Sequence, residues 1–324
     1  MGVTFSQFFP PKPTLTEANL PSQKGKIFIV TGGASGVGFE LCAILYQAGA
    51  KVYLAGRSEA NAQSAISKIK ALSPTSSGEL IFLSLSLDDL TTIKPAVEAF
   101  TATESKLDVL FNNAGVSLPP LGSVSAQGQE LQMATNCLGH YLLPQLLLPT
   151  LLHTAESAPS AAVRVIWTSS IAVDLSAPKC GINISDLSKP PPDQQKNYVT
   201  SKTGNWFLAS ALAAQVGSKG ILSVTQNPGN LKTPLLRHAP WILGFVTAPL
   251  LYSAKMGAYT ELWAGLSEDL GVGDGGKYVL PWGRLHPNPR PDLLAVLKTG
   301  EDDERPGTAA LFIEHCEKQT ADFR

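Results

Sequence analysis

Residues that bind metals or form disulfide frameworks are scarce in this sequence. Its 324 residues include four cysteines, none of them in a CxxC pair, and five histidines without HExxH or another metal-ligand spacing. These absences argue against a structural zinc site and against a disulfide-stabilised small domain, and isolated thiols fit a reducing compartment. We therefore predict no metal ion and a cytoplasmic location.

Long apolar runs and an excess of one charge sign are missing as well. No stretch of roughly 18 or more apolar residues occurs, and the N-terminus lacks a secretory signal pattern, which predicts a soluble chain without a transmembrane segment. The 25 basic and 26 acidic residues give a net charge of −1, which argues against a nucleic-acid partner. Residues 1–6 fit the loose myristoylation pattern at Gly2, so peripheral membrane association stays open, although so short a pattern recurs by chance.

What the sequence does have is a hydrophobic fraction of 44%, arranged as short strands between helical stretches. The strand candidates share apolar and β-branched residues without strict polar alternation, and they are residues 26–30, 51–55, 80–85, 107–111, 163–168, 221–226 and 277–280. Helical stretches separate most of them, which indicates right-handed βαβ crossovers. We predict an α/β, doubly wound fold with a mostly parallel seven-stranded sheet and helices on both faces.

The remaining segments set the domain organisation. Residues 1–22 contain four prolines and no periodicity, which predicts an extended arm on a single domain formed by residues 23–324. Within that domain, residues 178–197 predict a long loop of the kind that is often functional. Residues 229–275 are an insertion before the last strand, interpreted as a substrate lid, and the chain is expected to end in a helical tail.

The first strand leads into a glycine-rich turn. The run Thr31-Gly32-Gly33-Ala34-Ser35-Gly36-Val37-Gly38 follows a predicted strand and opens a helix predicted over residues 37–48. At such a position backbone amides and the helix dipole can hold a pyrophosphate. An ordinary βα turn rich in glycine is the alternative interpretation.

Further motifs follow this turn in order along the chain. They are Asn112-Asn113-Ala114-Gly115, Asn136 inside a helix predicted over residues 130–152, Ser170 after the fifth strand, Tyr198-Val199-Thr200-Ser201-Lys202, and Pro228-Gly229 with Thr233. The ordered set resembles the TGxxxGxG, NNAG, YxxxK and PGxxxT motifs of the short-chain dehydrogenase/reductase family, over about residues 24–285. This resemblance implies a Rossmann-type fold and a nicotinamide cofactor.

The resemblance implies four catalytic residues, Asn136, Ser170, Tyr198 and Lys202. Independently of it, Tyr198 and Lys202 stand four residues apart on one helix face, so the ammonium can lie near the phenol and favour its ionised form. Tyr198 is then the proton donor in reduction, and Ser170 holds the substrate oxygen. Ser169 is the alternative serine, disfavoured by strand alternation. In the family the helix asparagine fixes a helix kink and a water path to the lysine.

The end of the second strand bears on the choice of cofactor. No acidic residue follows that strand to bind a ribose 2′-hydroxyl, whereas Arg57 and Ser58 supply a cation and a hydroxyl for a 2′-phosphate. We therefore expect NADP(H), with a solvated Arg57 as the alternative. The full set of expected cofactor-binding residues is Thr31, Gly32, Ser35, Gly36, Val37, Gly38, Arg57, Ser58, Ser86, Leu87, Asn113, Ala114, Gly115, Tyr198, Lys202, Pro228, Gly229 and Thr233.

One position departs from the family pattern. Where the family places an aspartate against the adenine after the third strand, this sequence has Ser86, followed by Leu87. Asp88 and Asp89 come two and three residues later in the sequence than that position. Adenine recognition is therefore expected to depend on a hydroxyl and on backbone groups.

The long gap between Ser170 and Tyr198 resembles the retinol-dehydrogenase and WW-domain-oxidoreductase branch, and fungal oxidoreductases of similar length. That branch implies a lipophilic alcohol, aldehyde or ketone as substrate, and we add a role in specialised metabolism as a hypothesis. The apolar residues 241–252 could cap the pocket, or form a buried helix or a homodimer contact. A non-redox isomerase or cyclase and a nucleotide-sensing scaffold remain as alternatives on the same fold.

Overall fold

The computed structural model describes residues 3–233, 251–298 and 307–324, and its centre is one sheet. The strands are β1 (Ile27–Thr31), β2 (Lys51–Gly56), β3 (Glu79–Ser84), β4 (Val109–Asn112), β5 (Val163–Thr168), β6 (Ile221–Gln226), β7 (Tyr278–Leu280) and β8 (Arg284–Leu285). They lie in the order β3-β2-β1-β4-β5-β6-β7-β8. The strand order reverses between β1 and β4, so the predicted doubly wound α/β fold is confirmed.

The sheet has one strand more than the seven predicted. The strands β1 to β7 pair in parallel, and β8 returns antiparallel to β7, with Val279 opposite Leu285 and Leu280 opposite Arg284. A two-residue strand is too short for a periodic signal, and a tight turn is enough to join antiparallel neighbours. The sequence therefore could not have revealed it.

Helices cover both faces of this sheet. In chain order they are α1 (Val3–Phe8), α2 (Gly36–Gln47), α3 (Glu59–Leu72), α4 (Ile93–Thr101), α5 (Leu131–Met133), α6 (Gly139–Ser157), α7 (Ala172–Ser176), α8 (Ser185–Ser188), α9 (Gln194–Val216), α10 (Ala254–Leu266), α11 (Pro291–Leu297) and α12 (Thr308–Thr320). The apolar core on one face contains side chains of α2, α3 and α10, and that on the other contains side chains of α4, α6, α9 and α12. None of the helices in residues 3–233, 251–298 and 307–324 is long and apolar enough to cross a bilayer.

The N-terminal segment is not wholly extended as predicted. Helix α1 places the buried side chain of Gln7 between two others: its Nε2 donates to Asp174 Oδ2 at 2.7 Å, and its Oε1 accepts from Asn227 Nδ2 at 2.9 Å. These tertiary contacts stabilise a six-residue helix that is too short to show periodicity in the sequence.

Two predicted segments also differ in detail from the expectation. The helix predicted over residues 130–152 is interrupted, because α5 is followed by a π-helical turn, Ala134–Leu138, before α6 begins. The long loop predicted over residues 178–197 contains α8 and ends early, since α9 begins at Gln194 with Asp193 accepting from the Lys196 amide. The helical tail consists of α11 and α12 in the described part of the chain.

Candidate active site

A cleft of about 560 Å³ opens where the strands end beside the β1–β4 reversal. The predicted site residues that line it are Gly32, Ser35, Gly36, Val37, Arg57, Ser58, Leu87, Asn113, Ala114, Gly115, Ser170, Tyr198, Lys202, Pro228, Gly229 and Thr233. Four others, Thr31, Gly38, Ser86 and Asn136, stand behind this lining. The cleft thus contains motifs that are up to about two hundred residues apart in sequence, as expected at the carboxyl end of a doubly wound sheet.

The glycine-rich turn forms one wall of this cleft. Gly32 and Gly36 have φ of 69° and 55°, which are strained for other residues. At Gly38 a Cβ would lie 2.5 Å from the Gly32 carbonyl oxygen, so this glycine permits close packing rather than facing the cleft. Ser35 at the N-cap of α2 makes no side-chain cap bond, and the first helical turn has no acidic residue. The amides at this end can therefore meet an anion.

Thr31 organises that wall from behind. Its buried Oγ1 accepts from the Ala114 amide at 2.9 Å and lies 3.2 Å from the Phe111 carbonyl and 3.0 Å from His140 Nε2. Burial lowers the pKa of His140 to about 3, so its ring is neutral near pH 7. Thr31 thereby links the glycine-rich turn to the NNAG segment, instead of reaching into the cleft as predicted.

On the opposite wall, α9 presents Tyr198 and Lys202 beside Ser170. Ser170 and Tyr198 line the same part of the cleft. Lys202 Nζ donates to the Thr168 carbonyl at 2.9 Å and lies 5.8 Å from the centre of the Tyr198 ring. The helical spacing expected from the sequence puts the phenol and the ammonium together on this wall, and the segment after β5 adds the Ser170 hydroxyl.

The pKa values at this wall differ from the expectation that Lys202 favours the ionised form of Tyr198. Burial lowers the pKa of Lys202 to about 8, opposed by Coulombic interactions with the anionic forms of Cys137 and Glu261. Burial also raises the pKa of Tyr198 above its usual value, opposed by the neighbouring Ser170 hydroxyl. The Lys202 ammonium lies over the Tyr198 ring and donates to the Thr168 carbonyl, and burial keeps the pKa of the phenol above its usual value.

Ser169 and Ser170 have different environments. Ser169 is 2% exposed, and its Oγ donates to the Lys202 carbonyl at 2.7 Å. Ser170 faces the cleft, and its Oγ accepts from the Ala172 amide at 3.2 Å. The geometry places Ser170 beside the phenol, whereas Ser169 ties the strand end to α9.

Asn136 lies in the π-helical turn and holds the segment beneath the cleft. Its Oδ1 accepts from the Val116 amide at 2.9 Å, and its Nδ2 donates to the Val116 carbonyl and the Ser201 hydroxyl, each at 3.0 Å. The Asn136 carbonyl lies 3.2 Å from His140 Nδ1. With a neutral ring, His140 can donate from Nδ1 to this carbonyl.

At the other end of the cleft, the structure brings a carboxylate to Arg57. Arg57 Nη1 donates to Asp88 Oδ2 at 2.8 Å, and Ser86 Oγ donates to Asp88 Oδ1 at 2.7 Å. Asp88 and Leu87 line the cleft, whereas Ser86 does not. Ser58 caps α3 by accepting from the Asn61 amide at 3.3 Å. Asp88 stands two residues after the family's aspartate position in the sequence. The turn after β3 folds back and brings it to Arg57 at the cleft.

Sequence reasoning missed several residues that line the cleft or support it. The lining ones include Asn61, Asp88, Val116, Leu118, Thr135, Thr168, Gln195, Leu231 and Leu251, and Ser169 lines the cleft beside Ser170. The buried Glu261 behind Lys202 was missed too, although a lone carboxylate among apolar residues of one helix is a signal that can be read. Of the predicted lid insertion, residues 229–275, the part from 234 to 250 lies outside the described residues. Leu231 and Leu251, on either side of that part, line the cleft.

Comparison with known proteins agrees with this geometry. A family model described as short chain dehydrogenase matches residues 26–181. The chain is 44% identical over 319 residues to the short-chain dehydrogenase/reductase iacJ of Pestalotiopsis fici, covering 97% of this chain and 96% of that protein. It is 47% identical over 288 residues to a short-chain dehydrogenase/reductase of Phomopsis amygdali, covering 87% and 86%. The chain therefore belongs to the short-chain dehydrogenase/reductase family.

Solved structures share the fold. A Mycobacterium Paratuberculosis protein described as uncharacterized matches with a TM-score of 0.68 and 26% identity, over 95% of this chain and 97% of that chain. The RhlG/NADP active-site complex of Pseudomonas aeruginosa matches with a TM-score of 0.63 and 24% identity, over 80% and 95%. At the latter identity the likeness shows the fold alone.

Proposed function

We propose that this oxidoreductase transfers hydride between NADP(H) and a carbonyl or alcohol group of a lipophilic small molecule. The observation that carries the proposal is the grouping of Ser170, Tyr198 and Lys202 on one wall of a cleft that extends to the glycine-rich turn and Arg57. A hydroxyl, a phenol and an ammonium arranged in this way suit proton transfer to or from a substrate oxygen.

The residues present fit a dinucleotide. The uncapped first turn of α2 would hold the pyrophosphate, and Arg57 at the far end would meet a 2′-phosphate. Gly115 keeps the floor open, since a Cβ there would lie 3.3 Å from Lys202 Nζ. Lys202 would bind the ribose next to the nicotinamide. A bound nicotinamide would supply the acceptor or donor of the hydride.

The side chains then divide the proton chemistry. Ser170 would orient the substrate oxygen, and Tyr198 would give that oxygen a proton during reduction. The raised pKa of Tyr198 keeps the phenol protonated near neutral pH, which suits a proton donor. Lys202 would stabilise the phenolate left after this transfer. In the reverse direction Tyr198 would take the proton from an alcohol in its phenolate form, which the Lys202 ammonium would stabilise.

The choice of NADP(H) over NAD(H) depends on competition at Arg57. A 2′-phosphate would gain the guanidinium as a partner, but it would have to share it with the Asp88 carboxylate. The side chain of Arg57 is 62% exposed, so the ion pair costs little to rearrange. This favours NADP(H) with a modest margin.

A lipophilic substrate is supported by apolar side chains in the same cleft. Val116, Leu118, Leu231 and Leu251 line it together with Tyr198, and apolar linings with a few polar groups are typical of small-molecule sites. Specialised metabolism, a homodimer, a cytoplasmic location and peripheral membrane association remain predictions.

The test is a metabolite search with a matched inactive enzyme. Purified protein and its Tyr198→Phe variant are incubated with NADPH or NADP⁺ and a cellular extract, and mass spectrometry follows compounds that change by two hydrogens. We expect such a compound with the wild type alone. Cofactor binding without any such change would favour the isomerase, cyclase or scaffold alternatives.

A further inference from the structure

A carboxyl group is buried behind Lys202, on the face of the sheet that α9 does not cover. Glu261 of α10 has no exposed surface, and it shares its helix face with the buried residues Ala258, Leu262 and Gly265. A carboxylate in an apolar stripe is costly unless it is hydrogen-bonded or paired with a cation. The hydrogen-bond partners of Glu261 therefore explain how this buried carboxyl group is accommodated.

Thr168, the last residue of β5, joins Glu261 to Lys202. Its hydroxyl donates to Glu261 Oε1 at 2.7 Å, while its carbonyl accepts from Lys202 Nζ at 2.9 Å. The side chain of Thr168 points to α10 as that of Arg164 does, which donates to the Ala264 carbonyl. One residue thus separates the carboxyl from the ammonium across the edge of the sheet.

Gln226 at the end of β6 completes the arrangement. Its Nε2 donates to Glu261 Oε1 at 2.8 Å and to Thr168 Oγ1 at 2.9 Å. Glu261 Oε2 is buried without a hydrogen-bond partner. The carboxyl can therefore gain or lose a proton at Oε2 without breaking either of the bonds that hold Oε1.

The other titratable groups beside Lys202 are neutral near pH 7. Burial raises the pKa of the Cys137 thiol and lowers that of His140 to about 3, and the phenol of Tyr198 stays protonated. Burial raises the pKa of Glu261 to about 7, opposed by Thr168, Lys202 and Gln226. Among the groups of the described chain that act on Lys202, Glu261 is thus the one that carries negative charge close to neutrality.

We propose that Glu261 is a positioning residue whose carboxylate, held by Thr168 and Gln226, keeps Lys202 in its ammonium form from the far face of the sheet. The link between the two groups belongs to the chain itself. Its consequence for turnover rests on the proposed function, in which the ammonium binds ribose and stabilises phenolate.

The direct test is a titration of Lys202 by NMR in the full-length protein. Lysine labelled with ¹³C gives a signal for each ε-carbon, and the one lost in Lys202→Arg belongs to Lys202. Wild type is expected to titrate near pH 8. Glu261→Gln copies the neutral carboxyl, so it removes a charge that favours ammonium and should lower the Lys202 midpoint by about one pH unit. An unchanged midpoint overturns the proposal.

Two further variants test whether a change in the Lys202 midpoint comes from the link to Glu261. Glu268→Gln changes an exposed carboxylate just after α10 and should leave the midpoint in place. Thr168→Val keeps Glu261 but removes a hydrogen bond to its charged form, so the carboxyl ionises at higher pH and the Lys202 midpoint should again fall. If Glu261→Gln does not fold, Thr168→Val decides, and an unmoved midpoint there contradicts the inference.

NADPH affinity separates this inference from the proposed function. The dissociation constant of wild type should rise as Lys202 loses its proton, and in Glu261→Gln this rise should begin about one pH unit lower. A shifted Lys202 midpoint without a shifted affinity profile would support the link and contradict the role of Lys202 in cofactor binding. A shift in neither would overturn the link.

Discussion

The two ends of the cleft are built differently. The tyrosine end, comprising Ser170, Tyr198 and Lys202, is held by buried groups, and Lys202 is 2% exposed. The arginine end, comprising Arg57, Ser58 and Asp88, is open, and the Arg57 side chain is 62% exposed. Electrostatic interactions are stronger where water is excluded. Changes at the tyrosine end should therefore alter turnover by orders of magnitude, and changes at the arginine end should alter binding by smaller factors.

The largest effect is expected for Tyr198→Phe. It removes the transferable proton and keeps the ring, so turnover should fall about 10²–10⁴-fold while NADPH affinity changes little. Steady-state rates and fluorescence titration of NADPH measure the two quantities. Tyr259→Phe is the matched control, because the Tyr259 hydroxyl bonds to Glu17 and is not part of the cleft. Near-normal turnover by Tyr198→Phe would remove the assigned proton donor.

Ser170→Ala should follow, with a fall in turnover of about 10²-fold, since it removes one donor to the substrate oxygen. Ser169→Ala is its matched neighbour. It leaves the Lys202 carbonyl without its 2.7 Å hydrogen bond, so it should lower the free energy of unfolding by about 1–3 kcal/mol and change turnover less. Rates and denaturant unfolding of both variants check this. A larger catalytic loss in Ser169→Ala would exchange the two serines.

The same contrast decides what the sequence could predict. Tyr198 and Lys202 are four residues apart on one helix, and Ser170 follows the alternation of β5, so local periodicity is enough to bring them to the cleft. Asp88 meets Arg57 only because the chain turns after β3, and Glu261 meets Thr168 only because α10 packs on β5. Such contacts join elements far apart in the chain, and no spacing rule encodes them.

The fold shows a similar division. The apolar runs of β5 and β6 predicted those strands to the residue, because parallel strands that are buried on both faces are nearly continuous hydrophobic runs. The family resemblance implied a kink at Asn136, but spacing could not predict the π-helical turn Ala134–Leu138, because this turn depends on the tertiary hydrogen bonds of Asn136 to Val116 and Ser201. Helix α1 was missed for the same reason, since Gln7 is fixed by distant side chains.

At the arginine end, Arg57→Ala should erase most of the preference for NADPH. A charge-assisted contact to a partly exposed phosphate is worth roughly 1.5–3 kcal/mol, which corresponds to about ten- to a hundredfold in affinity. The competing Asp88 places the expected value near the lower limit. Dissociation constants for NADPH and NADH, with NADH affinity as the internal control, measure it. A wild-type preference for NADH, or an undiminished NADPH preference in the variant, would exclude Arg57 as the determinant.

The smallest effect is expected for Asp88→Asn, and its sign is the informative part. The substitution removes a negative charge that shares Arg57 with the 2′-phosphate, so NADPH should bind about three- to tenfold more tightly, while NADH changes less. Asp89→Asn is the matched control, because Asp89 accepts from Thr91 and Gln127 rather than from Arg57. Titration of both cofactors at low and high salt checks the result, since the gain should shrink as salt screens the exposed pair. If Asp88→Asn instead weakens NADPH binding, the carboxylate serves to orient Arg57 toward the phosphate. The two ends of the cleft would then follow one principle, because at each end an acidic residue behind a cation would prepare that cation for its ligand.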